Sequence, residues 1–518
     1  MRHILALDAG TGSGRAVIFN ENGKELATAT REWTHKEEPG YPNSMTFERD
    51  RNWALLLTAI KEVLSKVNNA NIQAISTTSM REAIVVYDQQ QNELWACANV
   101  DARAESQVKQ LRAISNNLES KAYKISGQTF ALGTAPRLLW LKEHKPQIYE
   151  KIAYVAMLSD WIAKRLGAPI AVDPSNGGTT GLFNLKTRNW DLELAKELGL
   201  KSDYLAAPVY ETGTKFGEVS TKAAIETGLK VGTAIVMGGG DAQLGTVGVA
   251  AVEANDAAVF GGSFWQQEVN IPQPLDDKSQ RIRMNFHALA NMWQAEAIVF
   301  FPGIAARWFR DYIAPDIKAE ALKMSKDPYE LLEDMAMQVP AGSHGIIPIF
   351  SDAMDYMHWR HAAPSFLNLS LDPDKSGRGV MFRALQENAA IVTLANLNRI
   401  ADITGNFPTE IIFASGAAKG KLWPQILADV LQIPVKTPVV KEATALGAAI
   451  AAGVGVGIYE DMASAAKQLV KWDKVFEPKP NNKDVYQDAF ERWQKSYTAQ
   501  LELADTGITK HLWKAPGE

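Results

Sequence analysis

The stretch AIVMGGGDAQLG, residues 234–245, joins an apolar run to three glycines and an aspartate. Residues 234–237 predict a short buried strand, and the glycines permit a tight turn and close approach of a ligand. Asp241 then falls at the carboxyl end of that strand, where open α/β sheets bind ligands. A carboxylate there is suited to accept a proton from a substrate hydroxyl, although a glycine turn with a capping aspartate has the same pattern.

The composition limits the kind of protein this is. With 518 residues the chain is too long for a single hydrophobic core, so two large domains are expected. Its 54 basic and 59 acidic residues include no basic block, which argues against nucleic acid or an anionic membrane as a partner. The single cysteine, Cys97, excludes an internal disulfide and a thiolate metal cage.

The same composition predicts where the protein works. The apolar run before Asp8 is too short for a signal peptide, and no segment reaches the ~18 apolar residues of a membrane span. One cysteine also fits a reducing compartment. We therefore expect a cytoplasmic protein.

The N-terminus predicts a strand, a glycine loop and a second strand. Residues 4–7 are apolar, DAGTGSGR follows at 8–15, and residues 16–19 are apolar again. A dinucleotide fingerprint would open a helix here, so the Rossmann interpretation fails. The bend instead offers backbone N–H groups, two hydroxyls and a guanidinium to a phosphate, although a plain β-hairpin fits too. Asp8 beside a bound triphosphate would hold magnesium directly or through water.

The pair Arg81 and Glu82 follows another predicted strand, at residues 72–76. A rigid fork of donors next to a carboxylate is suited to recognise a polyol, and a surface ion pair is the competing interpretation.

Two later glycine segments carry weaker signals. Residues 300–310 fit a loop beside a nucleotide, and a strand, glycine turn and helix over 411–430 fit an adenine slot. The helix predicted at 442–452 has small residues that allow close packing beneath that slot.

The early pattern returns past Asp241, where residues 257–271 again predict strand, glycine bend and strand. We interpret this as two halves, each built on a hairpin, with phosphates held between the two bends. Actin-like sugar kinases and Hsp70-type ATPases are built in this way.

His358 and His361 form the one close histidine pair, but they lack a third ligand in register, so a polar or lid role is preferred to a metal site.

Across nearly its whole length the chain resembles the FGGY carbohydrate kinase family. The shared motifs occur in the family's order: DAGTGSGR at 8–15, MRE at 80–82, DAR at 101–103, GGGD at 238–241, GGS at 261–263, SGAAKGKLW at 415–423 and EATALGAA at 442–449. Longer blocks, among them AVDPSNGGTTGL, GGSFWQQ and the terminal LWKAPG, set it apart from glycerol kinases and xylulokinases.

The resemblance implies an α/β fold of two actin-like (RNase H-like) domains with a cleft between them. We place them at 1–232, mainly substrate-binding, and 233–518, mainly ATP-binding with a charged helical tail from 472. It implies transfer of the ATP γ-phosphate to the primary hydroxyl of 4,5-dihydroxypentane-2,3-dione, with Mg²⁺ as cofactor. A homodimer and a phosphocarrier-protein regulator are further expectations.

The resemblance also assigns roles residue by residue. Asp241 is the catalytic base, and Asp8 and Asp241 are the candidate magnesium ligands. The expected substrate contacts are Arg81, Glu82, Asp101, Asp241 and Gln243. The expected ATP contacts are Thr11, Gly12, Ser13, Arg15, Gly262, Ser263, Gly303, Arg307, Gly416 and Gly420. Many relatives have glutamine directly after the catalytic aspartate, whereas Ala242 stands there in this chain and Gln243 follows, which weakens the transfer of polyol contacts from glycerol kinases.

Two other functions stay open at this point. A kinase of the same family for a ketopentose or deoxy-ketose needs no change in the motifs. An actin-like or Hsp70-like ATPase switch would hydrolyse ATP without any small alcohol, and the Arg81–Glu82 pair and Asp241 argue against it.

Overall fold

The computed structural model describes residues 2–68 and 70–518. Helices and strands alternate along both halves of the chain. The strands are β1 (His3–Ala9), β2 (Ser13–Asn20), β3 (Glu25–Glu32), β4 (Lys36–Glu38), β5 (Tyr41–Thr46), β6 (Ile72–Ser79), β7 (Ile84–Tyr87), β8 (Glu93–Cys97), β9 (Tyr154–Met157), β10 (Phe183–Asn184), β11 (Asn189–Trp190), β12 (Lys215–Glu218), β13 (Ala234–Gly240), β14 (Ala257–Gly261), β15 (Trp265–Ile271), β16 (Arg283–Phe286), β17 (Trp293–Val299), β18 (Ile347–Ile349), β19 (Arg360–His361), β20 (Ser365–Leu367), β21 (Ile411–Ala414), β22 (Val435–Pro438), β23 (Trp472–Phe476) and β24 (Trp513–Lys514).

The α-helices cover the faces of the sheets or connect their strands. They are α1 (Arg49–Lys66), α2 (Glu105–Ile114), α3 (Leu118–Ser126), α4 (Thr134–His144), α5 (Pro146–Tyr149), α6 (Leu158–Leu166), α7 (Pro174–Gly177), α8 (Leu192–Glu197), α9 (Thr221–Thr227), α10 (Asp241–Gly248), α11 (Pro302–Trp308), α12 (Pro315–Lys323), α13 (Pro328–Met337), α14 (Pro373–Ser376), α15 (Arg378–Thr404), α16 (Leu422–Leu431), α17 (Ala443–Gly455), α18 (Met462–Leu469) and α19 (Lys483–Asp505). Within the described residues, none of them is long and apolar enough to cross a membrane.

Two large sheets repeat one strand plan. The first has the order β12-β13-β6-β1-β2-β3, and the second has the order β16-β17-β15-β14-β21-β22-β23. In each, a hairpin supplies the first two strands, β1–β2 or β14–β15, and a later strand lies parallel to the first, β6 or β21. The duplication predicted from the two glycine bends is therefore present, and each bend lies at the end of its hairpin.

The first sheet is covered on both faces. Along β1, Leu5 and Leu7 belong to the core that includes α1, whereas Ile4 and Ala6 pack with the alanines of α17. A strand buried on both faces has a continuous run of apolar residues in its sequence, which explains why residues 4–7 were readily predicted as a strand. Because α17 lies in the second half of the sequence, the two halves share this layer.

Strand β13 follows the expected boundary at residues 232 and 233 and joins the first sheet. β13 pairs with β6 and β12, so it is an inner strand of the first sheet. The first half therefore extends to Gly240, and the helix that begins at Asp241 leads out of it. The tail expected to be helical from residue 472 begins instead with a strand. This strand, β23, forms the edge of the second sheet, and the long helix α19 follows it.

Helices α10 and α17 cross at two glycines. A Cβ built on Gly447 would lie 1.9 Å from the carbonyl oxygen of Leu244, and one on Gly248 would lie 1.8 Å from that of Ala443. Both obstacles are backbone atoms, so a side chain cannot be accommodated by a change of rotamer. The crossing places the start of α10, and with it Asp241, at the junction of the two halves.

We expect Gly447→Ala to destabilise the protein by ~1–3 kcal/mol, because the added methyl forces the two helices apart. Chemical denaturation followed by circular dichroism measures the change. Gly416→Ala is the matched control, since its methyl would lie 3.8 Å from the carbonyl oxygen of Gly261, an ordinary contact. Equal stability of the two variants would show that the crossing tolerates a side chain.

Candidate active site

A cavity of about 240 Å³ opens where the two halves meet. It is bounded by the start of α10, the second hairpin bend and the turn after β21. Its lining residues are Asp241, Ala242, Phe260, Gly262, Ser263, Phe264, Gln266, Ser415 and Thr444. The cavity thus brings Asp241 together with two of the predicted phosphate contacts, Gly262 and Ser263.

Asp241 is the first residue of α10 and directly follows β13. Its Oδ1 accepts a hydrogen bond of 2.8 Å from the backbone N–H of Ala242, and its side chain is 34% exposed to the cleft. Desolvation raises the pKa of Asp241 to about 6, against the opposing effect of the Arg81 guanidinium. Arg81 Nε lies 3.7 Å from Oδ1. The carboxylate is therefore ionised at neutral pH yet basic enough to accept a proton.

Asp8 lies near Asp241 at the end of β1. Burial raises the pKa of Asp8 to about 7, and the negative charge of Asp241 adds to this effect. Its Oδ1 is buried without a hydrogen-bond partner among the described residues. A buried carboxylate oxygen with a free lone pair, near a second carboxylate, fits a divalent cation that takes its other ligands from phosphates and water. The described part of the chain has no cluster of three or more metal-binding side chains.

The first hairpin bend is open to the cleft. Gly10 N–H donates to the carbonyl of Ser13, and the Thr11 hydroxyl accepts a hydrogen bond of 3.1 Å from Asn99. A Cβ on Gly12 would meet nothing within 4 Å. Arg15 forms an ion pair with Glu442, the residue before α17, so this guanidinium ties the bend to the second half.

The second bend lies between the start of α11 and the turn after β21. A Cβ on Gly303 would lie 2.3 Å from the carbonyl oxygen of Gly262, so the start of α11 packs directly on the bend. Ser415 has φ 77° and ψ −161°, a region that is nearly restricted to glycine. This strained residue lines the cavity. This strain could not be predicted from the sequence, because serine carries no preference for such a conformation.

Arg81 and Glu82 are both engaged with the second half. Arg81 forms a bidentate ion pair with Glu296, in which Nη2 donates to Oε1 at 2.7 Å. Glu82 pairs with Arg283 at 2.5 Å. The two pairs are reciprocal: each half contributes one arginine and one glutamate. Neither Glu296 nor Arg283 was predicted from the sequence.

The ion pairs adjoin further buried polar groups. Glu268 lies directly opposite Glu296 across β15 and β17, and neither of its oxygens has a hydrogen-bond partner among the described residues. Burial, followed by repulsion from Glu296, raises the pKa of Glu268 well above its ordinary value. Gln243 is fully buried, and its amide has no partner within the described chain. The predicted contact Gln243 thus lies beneath the cavity rather than on its wall.

Asp101, Gly420 and Arg307 are among the predicted residues that do not line the cavity. The buried carboxylate of Asp101 accepts hydrogen bonds from Arg103 and from the N–H of Met45. Gly420 packs against Glu333, whose carboxylate oxygen lies 2.5 Å from the position of a Cβ. Arg307 is exposed on α11, whereas Gly416 stays close to the second bend.

Family profiles match both halves of the chain. The profile of the N-terminal domain of the FGGY family of carbohydrate kinases matches residues 3–248, and that of the C-terminal domain matches residues 269–456. An autoinducer-2 kinase of Yersinia pseudotuberculosis is 52% identical over 518 residues, covering 99% of this chain and 98% of the relative. One of Klebsiella pneumoniae is 50% identical over 520 residues, covering 100% and 98%.

Solved structures share the fold. A ligand-bound xylulose kinase from Lactobacillus acidophilus superposes with a TM-score of 0.85 at 22% identity, covering 97% of this chain and 99% of that one. Plasmodium falciparum glycerol kinase with ADP gives 0.83 at 21% identity, covering 97% and 98%. Together with the two sheets and the cleft between them, these similarities establish that the chain belongs to the FGGY family of carbohydrate kinases and is an ATP-dependent phosphotransferase.

Proposed function

We propose that this enzyme phosphorylates autoinducer-2, 4,5-dihydroxypentane-2,3-dione, at its primary hydroxyl. The proposal rests on one observation: the chain is about half identical to autoinducer-2 kinases over its full length, and in one case the identity is 52%. The cavity supports it, since a carboxylate, a glycine bend and a strained turn converge there. We assign the reaction to the cytoplasm because ATP is the phosphoryl donor.

In the proposed mechanism Asp241 is the general base. It accepts the proton of the primary hydroxyl while that oxygen attacks the γ-phosphate and the bond to the β–γ bridging oxygen breaks, so that ADP leaves. Phosphoryl transfer has a loose, charge-rich transition state, so alignment and electrostatic stabilisation supply most of the catalysis. The backbone N–H groups of the two bends, with Ser13 and Ser263, hold the phosphates in line with the hydroxyl.

Asp8, with Asp241 beside it, would hold Mg²⁺ on the phosphate side of the cleft. A bound Mg²⁺ neutralises charge on the transferring phosphoryl group. The unpartnered Oδ1 of Asp8 supports this assignment. Closure of the halves, with Arg81 and Glu82 facing the substrate side, excludes water that would otherwise accept the phosphate.

A homodimer and a phosphocarrier-protein regulator are carried by the family resemblance alone. Light scattering with the purified protein, with and without a phosphocarrier protein, tests both.

The substrate assignment is tested by a coupled ADP-release assay with ATP and Mg²⁺. We expect kcat/KM to be highest for dihydroxypentanedione among dihydroxypentanedione, xylulose, rhamnulose and glycerol, with little ADP release when no alcohol is present. A ketose with the highest value would leave the family intact and refute the autoinducer-2 assignment. ADP release that is independent of any alcohol would instead favour an ATPase switch.

We expect Asp241→Asn to lower kcat by ~10²-fold or more while nucleotide binding is retained, because an amide cannot accept the proton. In the wild type, kcat/KM falls as the pH drops through about 6, since protonation of Asp241 removes the base. Glu253→Gln is the matched control, because this exposed carboxylate pairs with Lys467 outside the cleft. Turnover of Asp241→Asn within a few fold of the control would remove Asp241 from this role.

A further inference from the structure

The segment 512–518, with sequence LWKAPGE, is anchored on the second half of the molecule. Its strand β24 pairs with β19, and hydrogen bonds flank the pairing on both sides. Leu512 N–H donates to the carbonyl of His361 at 3.0 Å, and Ala515 N–H donates to that of Trp359 at 2.8 Å. These backbone bonds fix the path of the segment.

An aromatic cluster connects this anchor to the second bend. The ring of Trp513 lies 4.9 Å from that of Phe300, centroid to centroid, and Phe300 lies 5.2 Å from Phe264. Phe264 lines the active-site cavity. His361 is buried within the same cluster, and burial lowers its pKa to about 3, so it stays neutral. The histidine is thus part of the packing between the segment and the bend.

The end of the segment lies on the first half. The Arg112 side chain in α2 donates to the carbonyl of Gly517 at 3.0 Å and pairs with the carboxylate of Glu518 at 3.0 Å. Gly517 also packs closely on Val108 of the same helix, since a Cβ built on it would lie 2.6 Å from Val108 Cγ1. Seven residues therefore span from one half to the other.

On the first half, the segment also packs beside Arg137, a side chain that supports the predicted substrate pair. Pro516 shares a small cavity with Asp101 and Arg137. Arg137 donates hydrogen bonds to the carbonyls of Glu82 and, at 2.7 Å, Asn99. Asn99 in turn binds Thr11 of the first bend. The segment thus touches elements that position both the predicted substrate pair and the first phosphate bend.

We propose that residues 512–518 are a latch that holds the cleft closed over the substrate and releases when it opens. The proposal rests on the kinase function stated above. The anchor on the second half consists of backbone pairing and a cluster of aromatic rings. The attachment to the first half consists of one partly exposed ion pair, one backbone acceptor, the Gly517 contact on α2 and the packing of Pro516 beside Arg137. When the halves separate, the attachment at Arg112 breaks first.

The ion pair is tested with Glu518→Gln. Exposed and half-buried pairs of this kind shift an equilibrium by about 2–5-fold, so we expect KM for the alcohol to rise by that factor. The affinity for ATP stays unchanged because ATP binds mainly to the second half. Lys514→Gln is the matched control, since it removes a charge from the exposed side chain of the same segment. Equal KM values for the two variants would count against the latch.

A reversible cross-link separates a latch from a fixed structural tail. The built Cβ of Gly517 lies 3.2 Å from Val108 Cβ, so the double variant Val108→Cys with Gly517→Cys is within reach of a disulfide. The native Cys97 is buried and stays out of the reaction. We expect oxidation to lower kcat at least tenfold and reduction to restore it, since a closed cleft cannot exchange substrate and product.

Equal turnover of the oxidised and reduced double variant would overturn the latch. The rate is measured with whichever alcohol of the panel gives the highest turnover, so an error in the substrate assignment does not affect this result. The single variants, treated with the same oxidant, show any effect of the substitutions themselves. Small-angle scattering adds a readout besides activity: the radius of gyration of the oxidised form stays constant when ATP and alcohol are added, whereas that of the reduced form decreases.

Discussion

The reciprocal ion pairs between the two halves are the constraint on which the site depends. Arg81 with Glu296 and Glu82 with Arg283 bring four charges together between the halves. Three of the four side chains are buried, and that of Glu82 is 18% exposed. Such pairs are weak evidence for stability, because the cost of desolvation offsets much of the attraction. Removal of one partner, however, leaves an uncompensated buried charge. The pairs therefore fix how the halves meet, and the close crossing of α10 and α17 joins them at a second place.

The electrostatics of Asp241 follow from this arrangement. Arg81 is paired with Glu296, so the negative charge of Glu296 offsets much of the effect of the Arg81 charge on the pKa of Asp241. Desolvation then raises the pKa of Asp241 to about 6. A free guanidinium at 3.7 Å would favour the ionised carboxylate more strongly and make it a weaker base. The pKa of Glu268 is raised well above its ordinary value by burial and by repulsion from Glu296, which opposes a further negative charge beside this pair. The ion pair thus tunes the base as well as joining the halves.

Local sequence patterns predicted the parts of the fold that local physics controls. The two strand–glycine–strand patterns agree with the structure, and so does the strand, glycine turn and helix predicted over 411–430. The patterns did not reveal which sheet β13 joins, because pairing with β6 depends on residues far away in the chain. The partners of Arg81 and Glu82 were missed for the same reason: Glu296 lies 215 positions from Arg81. Asp101 has the residue type of a ligand contact, but its carboxylate accepts hydrogen bonds from the neighbouring Arg103.

The measurement that tests this account most directly is the pH profile of kcat/KM for Glu296→Gln beside the wild type. Glu296 raises the pKa of Asp241 through its negative charge, and its loss also leaves Arg81 less neutralised. Both effects have the same sign, so the acid limb of the profile, near pH 6 in the wild type, should move to lower pH in the variant. A limb that stays in place or moves to higher pH would contradict the claim that this ion pair sets the basicity of Asp241.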